Sequence, residues 1–235
     1  MIIIPMAGLS SRFFNAGFKE PKYKLRAHGK TLFEWSVKTF EKLYQTEKFI
    51  FICRDVFDTP KFIVSEMKHV GIKDYEIIVL TAETRGQAET VFLALDKVPD
   101  NEPLIIFNID TYQRHFDYMH ESNDAYLEVF KGEGEHWSFA KPVMEGSNLV
   151  AQTAEKKRIS ELCSNGVYGF KNKKIFINAY IDLIRSNPGE LYIAPMFNFI
   201  IKQNMEVKYK EVNIADHIFM GTPNEYNNFL GRADV

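Results

Sequence analysis

The run Ile2-Ile3-Ile4, cut short by Pro5-Met6-Ala7-Gly8, constrains this chain more than any other stretch. Three β-branched residues in succession lack the alternation of a half-exposed strand and read as a strand buried on both faces. Such a strand needs helices over it, which predicts an α/β layer architecture around a mainly parallel sheet. Beyond its end come Leu9, Ser10, Ser11 and Arg12, and Lys22 follows in Pro21-Lys22-Tyr23-Lys24-Leu25. Gly8 admits backbone angles that other residues avoid and lets a ligand reach the main chain. Loop N–H groups, two hydroxyls and two cations suit phosphate oxygens. Taken alone, the stretch also fits an ordinary strand-to-helix turn carrying a surface arginine.

The first half of the chain keeps the alternation. Phe33, Val37, Phe40 and Tyr44 recur at helical spacing over residues 31–44, with Thr31 and Glu34 as a capping box. Residues 49–53 read as a second buried strand. Thr59 and Pro60 open a helix whose apolar face is Phe62, Ile63, Met67 and Val70, and Gly71 stops it. A strand at 75–80, a helix at 86–97 and a strand at 104–107 follow. In right-handed βαβ units ligands bind beyond the carboxyl ends of the strands, here residues 5–12, 81–87 and 108–112. After residue 120 the elements shorten. Strands are predicted at 125–130, 137–140, 148–153 and 166–170, helices at 173–186 and 194–204, a strand at 207–212, and a last helix from Pro223. Residues 133–137 read as a hairpin turn with Trp137 buried, in preference to a site for a cationic group. No linker interrupts the 235 residues, so one domain is expected.

Composition narrows the function. A formal charge of −2 argues against nucleic acid as a partner. Pro5 and Gly8 interrupt the apolar start and no basic residue precedes it, so neither a signal peptide nor membrane insertion is expected. Cys53 and Cys163, the two cysteines, sit beside apolar runs and read as small buried residues. A reducing, cytoplasmic setting fits, and homo-oligomerisation is left open.

Ala7-Gly8-Leu9-Ser10-Ser11-Arg12 followed by Pro21-Lys22 resembles the signature A-G-x-G-[ST]-R … P-K of sugar-phosphate nucleotidyltransferases, with Ser10 where glycine is commoner. The resemblance implies a three-layer αβα sandwich with a Rossmann-like sheet. Residues 1–120 would form a nucleotide-binding half and 121–235 a mixed, acceptor-binding half. Asn108-Ile109-Asp110 resembles the family's N-G-D. A carboxylate at a strand end is in any case suited to Mg²⁺, which takes few protein oxygens and completes its shell with phosphates and water. Gly86-Gln87 resembles the base-reading segment, with Gln87 offering both a donor and an acceptor. Glu155-Lys156 and the later Asn165-Gly166-Val167-Tyr168 resemble the acceptor segments, although Glu-Lys-Lys-Arg alone reads as a solvated charged turn. Gly221-Thr222-Pro223 resembles the D-x-G-T-P ending, but Phe219 stands where the second metal-binding aspartate is usual. Asp216, five residues before Gly221, is the candidate substitute.

The implied reaction is attack by a phosphate oxygen on the α-phosphorus of a nucleoside triphosphate, with release of pyrophosphate. Arg12 and the loop Ala7–Ser11 would hold the phosphates, Lys22 would neutralise charge at the α-phosphate, and Asp110 would carry Mg²⁺. The partners are then a triphosphate and a phosphorylated small molecule, with surface polysaccharide precursors as the implied context. A cytidylyltransferase acting on a non-sugar phosphate, a nucleotide-sugar-dependent glycosyltransferase and a non-catalytic nucleotide-sensing domain are the alternatives.

Overall fold

The structure, a computed structural model, describes residues 1–119, 122–186 and 188–233. Two compact units are distinguished. Met1–Ile3, Thr84–Phe107 and Tyr118–Ile214 make up the first, and Ile4–Glu83, Asn108–Asp117 and Ala215–Val235 the second. The chain passes between them inside the opening strand, Ile2–Pro5.

In the first unit Ile2 and Ile3 pair in parallel with Ile105 and Ile106 of the strand Leu104–Phe107. That strand pairs antiparallel with Leu162–Phe170, whose other neighbours are Ala125–Lys131 and, at Cys163, Ser138–Pro142. Ser138–Pro142 and Val150–Glu155 are antiparallel, whereas Val207–Glu211 runs parallel to Ala125–Lys131. The sheet of this unit is therefore mixed. Leu162–Phe170 is buried at every residue, which is why alternation is absent from it. The helix Lys173–Ser186 buries Ile175, Phe176, Ala179, Tyr180 and Leu183 at the spacing of one helical face.

The second unit is built on two parallel strands, Phe49–Arg54 and Tyr75–Leu80, in register from Phe49↔Tyr75 to Arg54↔Leu80. The N–H of Met6 donates to Ile52 O at 2.8 Å, extending the opening strand alongside them. The helix Thr59–Val70 buries Ile63 and Met67, and Gly71 closes it at φ 84. A separate core joins Phe13, Leu32, Trp35, Tyr112, Ile218, Met220, Tyr226 and Phe229. The chain thus adopts the α/β fold its sequence predicts.

Several boundaries differ. The helix expected to reach Tyr44 ends at Lys38, and a 3₁₀ turn, Glu41–Leu43, follows. Thr39 there accepts a hydrogen bond from Gln113 N at 2.9 Å through its hydroxyl. The Thr31–Glu34 box is half formed: Thr31 Oγ1 accepts from Glu34 N, but the Glu34 carboxylate pairs with Lys30. Thr59 is the first helical residue and not the cap; Asp58 precedes the helix at φ 52. The helix at 86–97 divides into Gln87–Phe92 and a 3₁₀ turn, Leu95–Lys97. At 194–204 a 3₁₀ turn containing Pro195, Ala194–Met196, precedes the helix Phe197–Lys202. Short features escaped the sequence, among them the helix Ser11–Asn15 and the antiparallel ribbons of Arg26–Ala27 with Lys30–Thr31 and of Thr111–Gln113 with His217–Phe219. Elements this short hold too few side chains to show a period.

Candidate active site

The second unit carries the loop that follows the opening strand. Ala7 is buried, whereas Gly8, Leu9, Ser11 and Arg12 are exposed. Ser10 lies in the left-handed region at φ 53, ψ 27, the conformation for which glycine is favoured at this place. Its carbonyl accepts from Phe13 N at 2.9 Å and Phe14 N at 3.2 Å. Phe13 fixes the turn by burial in the core with Leu32 and Trp35. A Cβ at Gly8 would meet no atom of the chain within 4 Å, so packing alone does not require glycine there.

Lys22 is tied to this loop at its main chain and to Asp110 at its tip. Its N–H donates to Ser10 Oγ at 3.2 Å, and its Nζ forms an ion pair with Asp110 Oδ2. Each of the two side chains is 22% exposed. The 3₁₀ turn Lys22–Lys24 that carries the lysine is anchored on both sides. Tyr23 is buried, with its hydroxyl 2.6 Å from Thr59 Oγ1, and burial raises its pKa. Lys24 Nζ donates to Phe57 O. Ile109, in place of the family's glycine, is itself buried, while Asn108 and Asp110 on either side are half-buried.

Met220 N donates to Asp110 O at 2.8 Å, which brings the C-terminal segment against the carboxylate. A Cβ at Gly221 would lie 2.9 Å from Asp110 Oδ2, so glycine keeps that oxygen clear. The structure does not bring Asp216 to this place. Asp216 O accepts from Arg114 N at 2.8 Å, and Asp216 Oδ1 is 3.5 Å from His115 Nδ1. Asp110 and Arg114 are separated by the extended residues of the ribbon, roughly 13 Å at about 3.3 Å per residue. Asp216 therefore sits at the far end of the ribbon from Asp110, and Phe219, paired with Thr111, sits at the near end. Among the described residues no group of three or more His, Cys, Asp or Glu could hold a metal ion. Asp110 Oδ2 is held by Lys22, and Glu225 Oε2 lies 3.6 Å from the same Gly221 Cβ position; a carboxylate at this strand end suits a Mg²⁺ ion whose remaining ligands are phosphate oxygens and water.

The first unit carries the remaining candidates. Gly86 has φ 151, and a Cβ there would lie 2.5 Å from Leu191 O and 2.8 Å from Leu191 N. Leu191 N donates to Arg85 O, and Ala88 N donates to Leu191 O, both at 2.9 Å. This close crossing by itself requires glycine at 86. Gln87 opens the helix Gln87–Phe92 and is half-buried. Arg85 holds Glu89 through Nε at 2.8 Å and Nη2 at 2.6 Å, and these hydrogen bonds lower the Glu89 pKa.

Glu155 and Lys156 fall at the end of the strand Val150–Glu155. Ser138 Oγ donates to Glu155 Oε2, and Tyr168 OH lies 3.5 Å from the same serine. Lys156 has φ 52; its Nζ donates to Tyr192 OH, stands 4.5 Å from that ring's centroid and is 4.0 Å from Glu190. Lys157 is exposed. Asn165 and Gly166 form the irregular stretch of Leu162–Phe170, with Gly166 at φ 95. Asn165 is 2% exposed; its Nδ2 donates to Glu128 Oε2 and its Oδ1 accepts from Val167 N, both at 3.0 Å. Its side chain is engaged within the protein rather than presented to an acceptor. Sequence reasoning missed Ser138, Tyr192 and Glu190, which carry no motif; only their contacts with Glu155 and Lys156 reveal them. Trp137 is half-buried, its indole N–H donating to Glu133 O at 3.0 Å, so residues 133–137 close on themselves as a turn.

Desolvation raises the Glu155 pKa above its ordinary value, against the opposing hydrogen bond from Ser138. A carboxyl with a raised folded-state pKa favours folding below its unfolded pKa, and that contribution is lost as pH rises through the folded value. Glu155→Gln is therefore expected to stabilise the chain relative to the parent at pH 7 and not at pH 4. Urea midpoints at the two pH values provide the check.

Comparison with solved structures places this geometry. The nucleoside-diphosphate-sugar pyrophosphorylase from Vibrio cholerae RC9 is 45% identical, with a TM-score of 0.94 over 99% of this chain and 100% of the other. Likeness at this identity over the whole chain makes the protein a nucleotidyltransferase. Two distant structures share the fold: a putative glucose-1-phosphate thymidylyltransferase from Bacillus anthracis (18% identity, TM-score 0.78, 100% and 95% of the two chains) and the inositol-1-phosphate CTP transferase from T. maritima (16%, 0.74, 97% and 94%). No family model and no curated protein matches the chain. The chain belongs to the family of nucleoside-diphosphate-sugar pyrophosphorylases, within the sugar-phosphate nucleotidyltransferases.

Proposed function

We propose that this enzyme transfers the nucleoside monophosphate of a triphosphate to a phosphorylated small molecule, with a sugar 1-phosphate as the default acceptor. The observation that carries the reading is the Lys22–Asp110 ion pair, joined through Ser10 to a loop that exposes Gly8, Ser11 and Arg12.

An acceptor phosphate oxygen attacks the α-phosphorus, the bond from that phosphorus to the α–β bridging oxygen breaks, and pyrophosphate leaves with the bond's electron pair. The nucleophile is already an anion and needs no general base, so catalysis consists of positioning and charge stabilisation. Arg12 and the loop N–H groups hold the leaving phosphates. Lys22 stabilises charge at the α-phosphate. Asp110 would hold Mg²⁺, which when bound would neutralise further phosphate charge. Gln87 is assigned to the base, and Glu155 with Lys156 to the acceptor and its phosphate. In this reading the chain is one nucleotidyltransferase domain, cytoplasmic, feeding surface polysaccharide assembly.

The test is pyrophosphate release over five nucleoside triphosphates and a panel of phosphorylated sugars and non-sugar alcohols. One pair should yield pyrophosphate and the nucleotide-linked product in equal amounts. Nucleotide binding without release from any pair would leave a sensing domain. Free nucleoside diphosphate from a nucleotide-sugar would indicate a glycosyltransferase.

A further inference from the structure

We propose that Lys22 is a resident counter-ion of Asp110, competing with a divalent cation for that carboxylate until the lysine is drawn off by phosphate. The inference rests on the reading of Asp110 as the metal carboxylate and goes beyond it to the order in which the site fills.

Lys22 Nζ contacts Asp110 Oδ2, and that same oxygen is the one left clear by the missing Cβ of Gly221, 2.9 Å away. A cation approaching Oδ2 meets an ammonium already bound to it. Like charges at contact distance repel strongly where the surroundings are partly desolvated, and each of these side chains is only 22% exposed. Among the described residues no group of three or more His, Cys, Asp or Glu surrounds Asp110, and the neighbouring Glu225 Oε2, 3.6 Å from the same Gly221 Cβ position, is already engaged by Thr222 N at 2.8 Å. Both cations therefore compete for Asp110.

The anchoring of Lys22 shows which part of it moves. Its N–H is fixed to Ser10 Oγ at 3.2 Å, Tyr23 OH is 2.6 Å from Thr59 Oγ1, and Lys24 Nζ is fixed to Phe57 O. The backbone of the turn is held on both sides, so release of Asp110 is a rotation of the lysine's flexible four-carbon stem. The loop tied to Lys22 through Ser10 is where the phosphates are assigned. Phosphate oxygens arriving there offer Nζ a new anionic partner while they supply the ligands a divalent ion needs beside one carboxylate. Metal and triphosphate then load together, and free metal does not load first.

Mn²⁺ binding to the full chain without nucleotide, read by electron paramagnetic resonance, tests this directly. Lys22→Gln is expected to tighten Mn²⁺ binding at least tenfold over the parent, and Asp110→Asn in the Lys22→Gln background should abolish the gain. Lys22→Met, which keeps the stem's packing, guards against a folding defect and should show the same gain. Mn²⁺ should also raise the melting temperature of both Lys22 variants more than that of the parent, since only they bind it well. Unchanged Mn²⁺ affinity in both variants, or a gain that survives Asp110→Asn, would overturn the inference. Tightened binding in the Lys22 variants, with no pyrophosphate released by the parent, would uphold it and sink the proposed reaction; pyrophosphate release by the parent, with unchanged Mn²⁺ affinity in the variants, would do the reverse.

Discussion

Lys22→Ala is expected to lower kcat by about 100- to 1,000-fold, which corresponds to the roughly 3–4 kcal/mol typical for loss of one preorganised charge stabiliser. The KM for the triphosphate should change far less. In the proposed reading Arg12 and the loop N–H groups remain to hold the phosphates, whereas the assigned work of Lys22 falls on charge that develops during transfer. The variant also strips Asp110 of its ion-pair partner, so an intact melting transition must accompany the kinetic result. Steady-state pyrophosphate release supplies both constants. Turnover equal to the parent's would remove Lys22 from the chemistry.

Gly86→Ala should act on stability instead. The added Cβ would stand 2.5 Å from Leu191 O and 2.9 Å from Leu191 C, main-chain atoms that cannot rotate away as a side chain can. Overpacking of this kind costs about 1–3 kcal/mol. The backbone at φ 151 adds strain of about 1–3 kcal/mol for a residue bearing Cβ. A loss of roughly 3 kcal/mol in a chain of this size lowers the melting temperature by about 6–12 °C. Calorimetry of the ligand-free protein measures it. A glycine kept only for the approach of a nucleobase would leave that transition where it was.

The two positions show where sequence reading succeeds and where it stops. Ile2, Ile3 and Ile4 read as a strand buried on both faces because a short β-branched run cut off by Pro5 favours a strand over a helix, and the parallel partners accord with that burial. The extent of the helix Lys173–Ser186 was legible, but its buried face was not: the spacing of Ile177, Tyr180, Ile181 and Ile184 points to one stripe, whereas Ile175, Phe176, Ala179, Tyr180 and Leu183 are buried and Ile184 is exposed. Gly86 was legible as a special residue, but its cause was not, because the atoms that demand it belong to Leu191, more than a hundred positions away. The same limit hid Ser138 and Tyr192, which gain meaning only beside Glu155 and Lys156. Asp216 was the nearest carboxylate in sequence to the missing ligand at Phe219. The ribbon, built from strands of three residues, turns that proximity into separation.

Ser10 carries one more consequence. A glycine there would wander over both halves of backbone space, and the loop would have to be ordered by whatever bound to it. A serine held at φ 53, with its carbonyl on Phe13 and Phe14 and its hydroxyl on Lys22, has little of that freedom left. The entropy of shaping the loop is surrendered when the chain folds, so an arriving ligand does not have to supply it. The departure from the family's glycine thus makes the loop a preformed mould rather than a pliable one.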